Sequence, residues 1–61
     1  MNEKRFLVIT AYGGIITDVR PFEDIVEAVN HAERAWKKAN AERDDIKIFD
    51  LTGNIHWTPD Y

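Results

Sequence analysis

Apolar residues recur at three- and four-residue steps through residues 22–40, at Phe22, Ile25, Val29, Ala32, Trp36 and Ala39. That is the period of one face of an α-helix. The remaining positions Glu23, Asp24, Glu27, Asn30, His31, Arg34, Lys38 and Ala41 give the opposite face a mostly polar character. Pro21 has a fixed φ suited to a helix start and forces Arg20 to be extended, so the helix is predicted to begin just after it. No Ser, Thr, Asp or Asn stands at the cap expected for that start. Acids gather early in the segment, and Arg34, Lys37, Lys38 and Arg43 gather late, each sign matching its end of the helix dipole. Ala28, Ala32, Ala35 and Ala39 make one flank thin enough to lie close on a sheet.

Before the helix, β-branched and aromatic residues crowd positions 6–12, predicting a strand over about residues 4–12. Gly13-Gly14 is a two-residue hairpin signal, and residues 15–20 resume as a second strand that Pro21 ends. With that loop, Tyr12 pairs with Ile15, Thr10 with Thr17 and Val8 with Val19. One face then carries Phe6, Val8, Thr10, Tyr12, Ile15, Thr17 and Val19, and the other Leu7, Ile9, Ala11, Ile16, Asp18 and Arg20. A sheet covered by one helix should alternate between apolar and polar, yet both faces here are substantially apolar.

After a charged loop over residues 42–45, residues 46–50 and 55–58 predict a second hairpin around Leu51-Thr52-Gly53-Asn54, closed by Pro59. Two registers compete. Pairing Asp50 with Ile55 puts Ile46, Ile48, Ile55 and Trp57 on one face, leaving Phe49, Leu51 and His56 on the open face. A bulge at Gly53 pairs Asp50 with Asn54 and groups Phe49 with Ile55 and Trp57. The first is preferred because it buries four large side chains together.

The order β-β-α-β-β predicts an α+β fold, a two-layer structure in which one helix packs across one face of a four-stranded sheet, as one domain over residues 1–61. The expected core is Phe6, Val8, Tyr12, Ile15 and Val19 with Ile25, Val29, Ala32, Trp36, Ile46, Ile48, Ile55 and Trp57. This order resembles the β-grasp plan of bacterial immunoglobulin-binding domains, which implies first and last strands lying parallel at the centre. A sheet ordered 1-2-3-4, with the helix as a right-handed crossover between the second and third strands, satisfies the same sequence. Residues 22–28, His31-Ala32-Glu33, Trp36, Ile46-Lys47-Ile48 and residues 53–57 also resemble a loose group of short uncharacterised proteins of bacterial and phage genomes. That resemblance spans roughly residues 5–57, although Pro21 stands where such proteins more often have a capping Ser or Thr. It implies the same fold, supplies no catalytic residue, and suggests a phage or mobile-element accessory protein that binds a host protein.

Composition narrows the chemistry. The chain has 61 residues, is 44% hydrophobic and 31% charged, and contains no cysteine, so disulfides cannot staple it. No apolar run approaches the roughly 20 residues needed to span a bilayer, and the first residues do not form a secretory signal, so a cytoplasmic location is expected. With neither Ser nor Cys, the usual nucleophiles of acyl transfer are missing and no enzyme is expected. Glu27 and His31 have the spacing of an ion pair or of two metal ligands, but no third ligand joins them, so no metal or cofactor is expected. Gly13-Gly14 joins two strands with no helix to hold a phosphate. Arg34, Lys37, Lys38 and Arg43 offer a basic helix end for single-stranded nucleic acid. Interleaved Glu33, Glu42, Asp44 and Asp45 and a net charge of −3 disfavour that alternative.

The expected function is therefore a non-enzymatic protein–protein interaction module. It would pair with a second copy as a homodimer, or with a protein partner, through the helix-free face of the sheet: Leu7, Ile9, Ile16 and Phe49, with His56 at the margin. An unprotected edge strand is a second route to pairing.

Overall fold

The computed structural model describes residues 4–40 and 42–59. Ala41, assigned above to the outer helix face, and Asp60 and Tyr61 lie outside the described residues. The elements run β1 (Phe6–Tyr12), β2 (Ile15–Phe22), α1 (Ile25–Lys38), β3 (Asp44–Asp50) and β4 (Ile55–Trp57). They form an α+β fold, a four-stranded antiparallel sheet ordered β2-β1-β3-β4 with α1 packed on one face. Neither strand order entertained from the sequence is adopted. β3 pairs with β1 along seven residues, whereas β4 is three residues long and takes the edge. The longer strand, carrying Ile46 and Ile48, thereby gains the central place under the helix. The β2–α1–β3 connection steps over β1.

The Gly13-Gly14 turn forms as expected, with φ of 59° and 84°, the positive values that a two-residue hairpin turn requires at both positions. The ladder beyond it is not regular. Thr10 pairs with Asp18 but Ala11 with Ile16, so Thr17 is an extra residue, and its hydroxyl donates to the Thr10 carbonyl at 3.3 Å. Past this bulge every β2 side chain changes face. Val19 pairs with Ile9 on the helix-free side, while Asp18 and Arg20 move to the side of Thr10 and Val8. The strand also continues through Pro21, which pairs with Leu7. An edge strand tolerates a residue without an N–H, and β2 is an edge.

The helix consequently starts three residues later than Phe22. Asp24 is its N-cap, extended at φ −119° and ψ 134°, and its carboxylate accepts from the Val26 N–H at 2.9 Å. The missing cap expected from the sequence is present, one turn further along. Glu27 lies in the first turn and Lys37 and Lys38 in the last, and the Ala39 N–H closes the end on the Trp36 carbonyl at 3.1 Å.

Val8, Ala28, Ala32, Ile46 and Ile48 are fully buried, with Phe6, Phe22, Ile25, Val29, Ala35, Trp36 and Trp57 packed around them. Two alanines four residues apart let the helix backbone approach the sheet. Each of the three large side chains beneath it contributes roughly 1.5–3 kcal/mol by burial. Four residues expected in the core are outside it: Tyr12, Ile15, Val19 and Ile55 are 48%, 71%, 48% and 52% exposed. Tyr12 and Ile15 flank the hairpin tip, where the helix does not cover them, and Val19 and Ile55 are turned away by register.

Between α1 and β3, the Asn40 carbonyl accepts the N–H groups of Arg43 and Asp44 at 3.0 and 2.7 Å. The Asp44 carboxylate in turn accepts the Asn40 N–H at 2.8 Å. Asp44 and Asp45 are thus the first residues of β3, aligned on Tyr12 and Ala11, and not part of the loop.

Candidate interaction face

The second hairpin closes on Asp50. Its Oδ1 accepts from the Thr52 N–H (2.8 Å), the Thr52 hydroxyl (2.7 Å) and the Asn54 N–H (3.0 Å); its Oδ2 accepts from Asn54 Nδ2 (3.2 Å) and lies 2.9 Å from His56 Nε2. The Asp50 N–H donates to the Asn54 carbonyl at 2.9 Å, so Asp50 pairs with Asn54, the register not preferred from the sequence. The preferred register overlooked how well one carboxylate could organise this turn. Gly53 supplies the positive φ of 89° that the turn needs. His56, followed by the Thr52 and Asn54 bonds, holds the Asp50 carboxyl well below the usual carboxylate range.

That register carries Ile55 onto the helix-free face, across from Phe49. A second irregularity follows, because Ile48 pairs with Trp57, leaving His56 as the extra residue. Trp57 thereby returns to the helix side, against the core where the preferred register had placed it, and the grouping of Trp57 with Phe49 that went with the other register does not form. His56 does not join the open face either. Its ring meets Phe6 edge-on, with centroids 5.3 Å apart, on the side of the sheet that holds Asp50 and Phe6. With the Asp50 lone pairs occupied within the turn, the His56–Asp50 contact closes a hairpin.

The two bulges decide the character of the open face. Its side chains fall in rows across the strands: Pro21, Leu7, Phe49 and Ile55; then Val19, Ile9 and Lys47; then Ile16, Ala11 and Asp45. The first row is apolar on all four strands. Leu7, Ile9 and Phe49 are half-buried, and Ile16, Val19 and Ile55 are more than 45% exposed. Ile9, Ala11, Ile16, Asp45, Lys47 and Phe49 line a shallow depression of about 250 Å³. The charges at this end neutralise one another, with Lys47 Nζ 2.6 Å from Asp45 Oδ2. A regular hairpin would have placed Asp18 and Arg20 here; they pair with each other at 3.1 Å on the helix side.

Of the residues singled out in the sequence, Leu7, Ile9, Ile16 and Phe49 come together and His56 does not. Val19, Pro21 and Ile55 were missed. The alternative Asp50–Asn54 register contained the signal for Ile55; nothing local to Thr17 announces its bulge. Elsewhere, His31 stacks at a tilt on Phe22 with centroids 5.3 Å apart, and Arg34 donates to the Asn30 carbonyl of its own helix at 3.3 Å. Among the described residues, no helix is long and apolar enough to cross a membrane. No protein-family model, curated protein or solved structure matches this chain.

Proposed function

We propose that the protein is a non-enzymatic interaction module that binds itself or a protein partner through the helix-free face of its sheet. The observation that carries this reading is the apolar row Pro21, Leu7, Phe49 and Ile55, continued by Ile9, Val19 and Ile16. Surface apolar residues scattered singly need no explanation, but a patch continuous over four strands, with the Asp45 and Lys47 charges beside it paired to each other, is characteristic of a contact surface. Two bulges favour that patch over the mixed surface a regular hairpin would give. The strand edges support it less. Edge strand β2 carries a bulge, the charges Asp18 and Arg20, and Pro21, all of which discourage strand addition.

Replacing Leu7 and Phe49 together with Lys tests the reading. Association, followed by sedimentation velocity, is expected to disappear while the far-ultraviolet circular dichroism spectrum stays nearly unchanged. Association that survives the double substitution in a folded protein contradicts it.

A further inference from the structure

We propose that the occupant of the open face is a second copy of this chain, packed sheet to sheet about a two-fold axis running along the strands between β1 and β3. The inference rests on the reading of this face as an association surface, and it adds the partner and the geometry.

The first argument is the symmetry of the apolar row. Its four positions lie on β2, β1, β3 and β4 in that order, so an axis between β1 and β3 divides it in half. Rotation sets Leu7 of each copy over Phe49 of the other, and Pro21 over Ile55, giving the reciprocal contacts of an isologous interface. In the next row Ile9 meets the aliphatic stem of Lys47, whose ammonium stays on its own Asp45 at the rim. An in-plane axis perpendicular to the strands would overlap less of the face: through the middle row it sets Phe49 against Asp45, and through the apolar row it carries the Ile9 and Ile16 rows past the end of the partner's three rows, whereas the axis along the strands superposes all three. The distribution of apolar groups selects the first axis.

Charge agrees with self-pairing. The chain's net charge is −3, but Asp18 and Asp50 are on the helix side of the sheet, and Asp24, Glu27 and Glu33 belong to the helix and its cap. The acid and base that stand in these three rows, Asp45 and Lys47, are already bonded together, so two copies overlapping there bring no unpaired charge of these rows together. Area sets the strength. Ten positions on strands about 4.8 Å apart, in rows about 6.8 Å apart, cover roughly 330 Å² in plan, so a pair removes on the order of 900 Å² from water, the size of a weak, transient interface. A reversible dimer in the micromolar range is expected, and no tighter.

The test uses an equal mixture of isotope-labelled and unlabelled full-length chains at about 1 mM, well above a micromolar dissociation constant. Isotope-filtered NMR is expected to show cross-peaks between the Leu7 methyls of one copy and the Phe49 ring of the other. Sedimentation equilibrium should give a dimer mass that falls on dilution, and Phe49→Lys should raise the dissociation constant about thirty-fold or more. A monomer mass at the highest concentration overturns the second copy as occupant while leaving binding of another protein on this face to be judged by the Leu7→Lys/Phe49→Lys variant. A dimer with intermolecular cross-peaks confined to β2 backbone or α1 overturns the geometry. A dimer indifferent to the double variant takes the reading of the face down with it.

Discussion

Ile9 faces Val19 across β1 and β2 on the side of the sheet that the helix leaves open. A regular hairpin from Gly13-Gly14 would have set Val8 across from Val19 beneath the helix. One extra residue, Thr17, moves Val19 and Pro21 to the open face and takes Asp18 and Arg20 away from it. The hydrophobic character of that face therefore depends on register as much as on composition.

Val19→Lys separates the two registers. On an open face a half-exposed lysine costs within about 0.5 kcal/mol of folding stability, whereas a lysine facing a helix-covered core would cost about 3 kcal/mol or more. Urea denaturation of the dilute protein is expected to give the small value, with self-association weakened.

Asp24 is the helix cap, and its carboxylate holds the Val26 N–H at 2.9 Å. Asp24→Ala should cost about 1 kcal/mol, and Asp24→Ser should recover most of it because a hydroxyl can accept the same bond. Thermal or urea unfolding of both variants checks this.

Much of this architecture was legible in the chain. The stripe Ile25, Val29, Ala32 and Trp36 faces the sheet as its period requires, because helical periodicity is set by local geometry. The first strand and its turn were legible for the same reason. Registers were not, since a bulge at Thr17 or His56 is chosen by contacts between strands that no short window contains. Pro21 misled because an edge strand accommodates it as readily as a helix start does. Of the face residues, Leu7, Ile9, Ile16 and Phe49 followed from simple alternation, while Val19 and Ile55 required knowing where alternation breaks.

Asp50 makes stability depend on acid. Its folded-state carboxyl is held below its ordinary range, chiefly by His56 and then by Thr52 and Asn54. A depressed carboxyl contributes stability that is fully present above the unfolded value of about 3.9 and is lost as pH falls below it toward the folded value. Wild-type urea midpoints should therefore drop from about pH 5 downward more steeply than those of Asp50→Asn, which has no proton to gain. Equal slopes for the two proteins would mean that Asp50 is not the group involved.

Ala28 is fully buried against the sheet with Ala32. Ala28→Leu keeps helix propensity nearly unchanged but forces added volume between α1 and the central strands, and should cost about 1–3 kcal/mol. Val26→Leu, at a position 60% exposed, should be nearly neutral in the same denaturation experiment.

The most direct measurement is methyl and aromatic NMR chemical shifts followed on dilution from about 1 mM to about 10 µM, a range that spans micromolar association. Concentration-dependent shifts are expected at Leu7, Ile9, Ile16, Val19, Phe49 and Ile55, with Val26 and Val29 of the helix unmoved. Shifts that cluster on the helix, or that do not change with concentration anywhere, would contradict association through the open face.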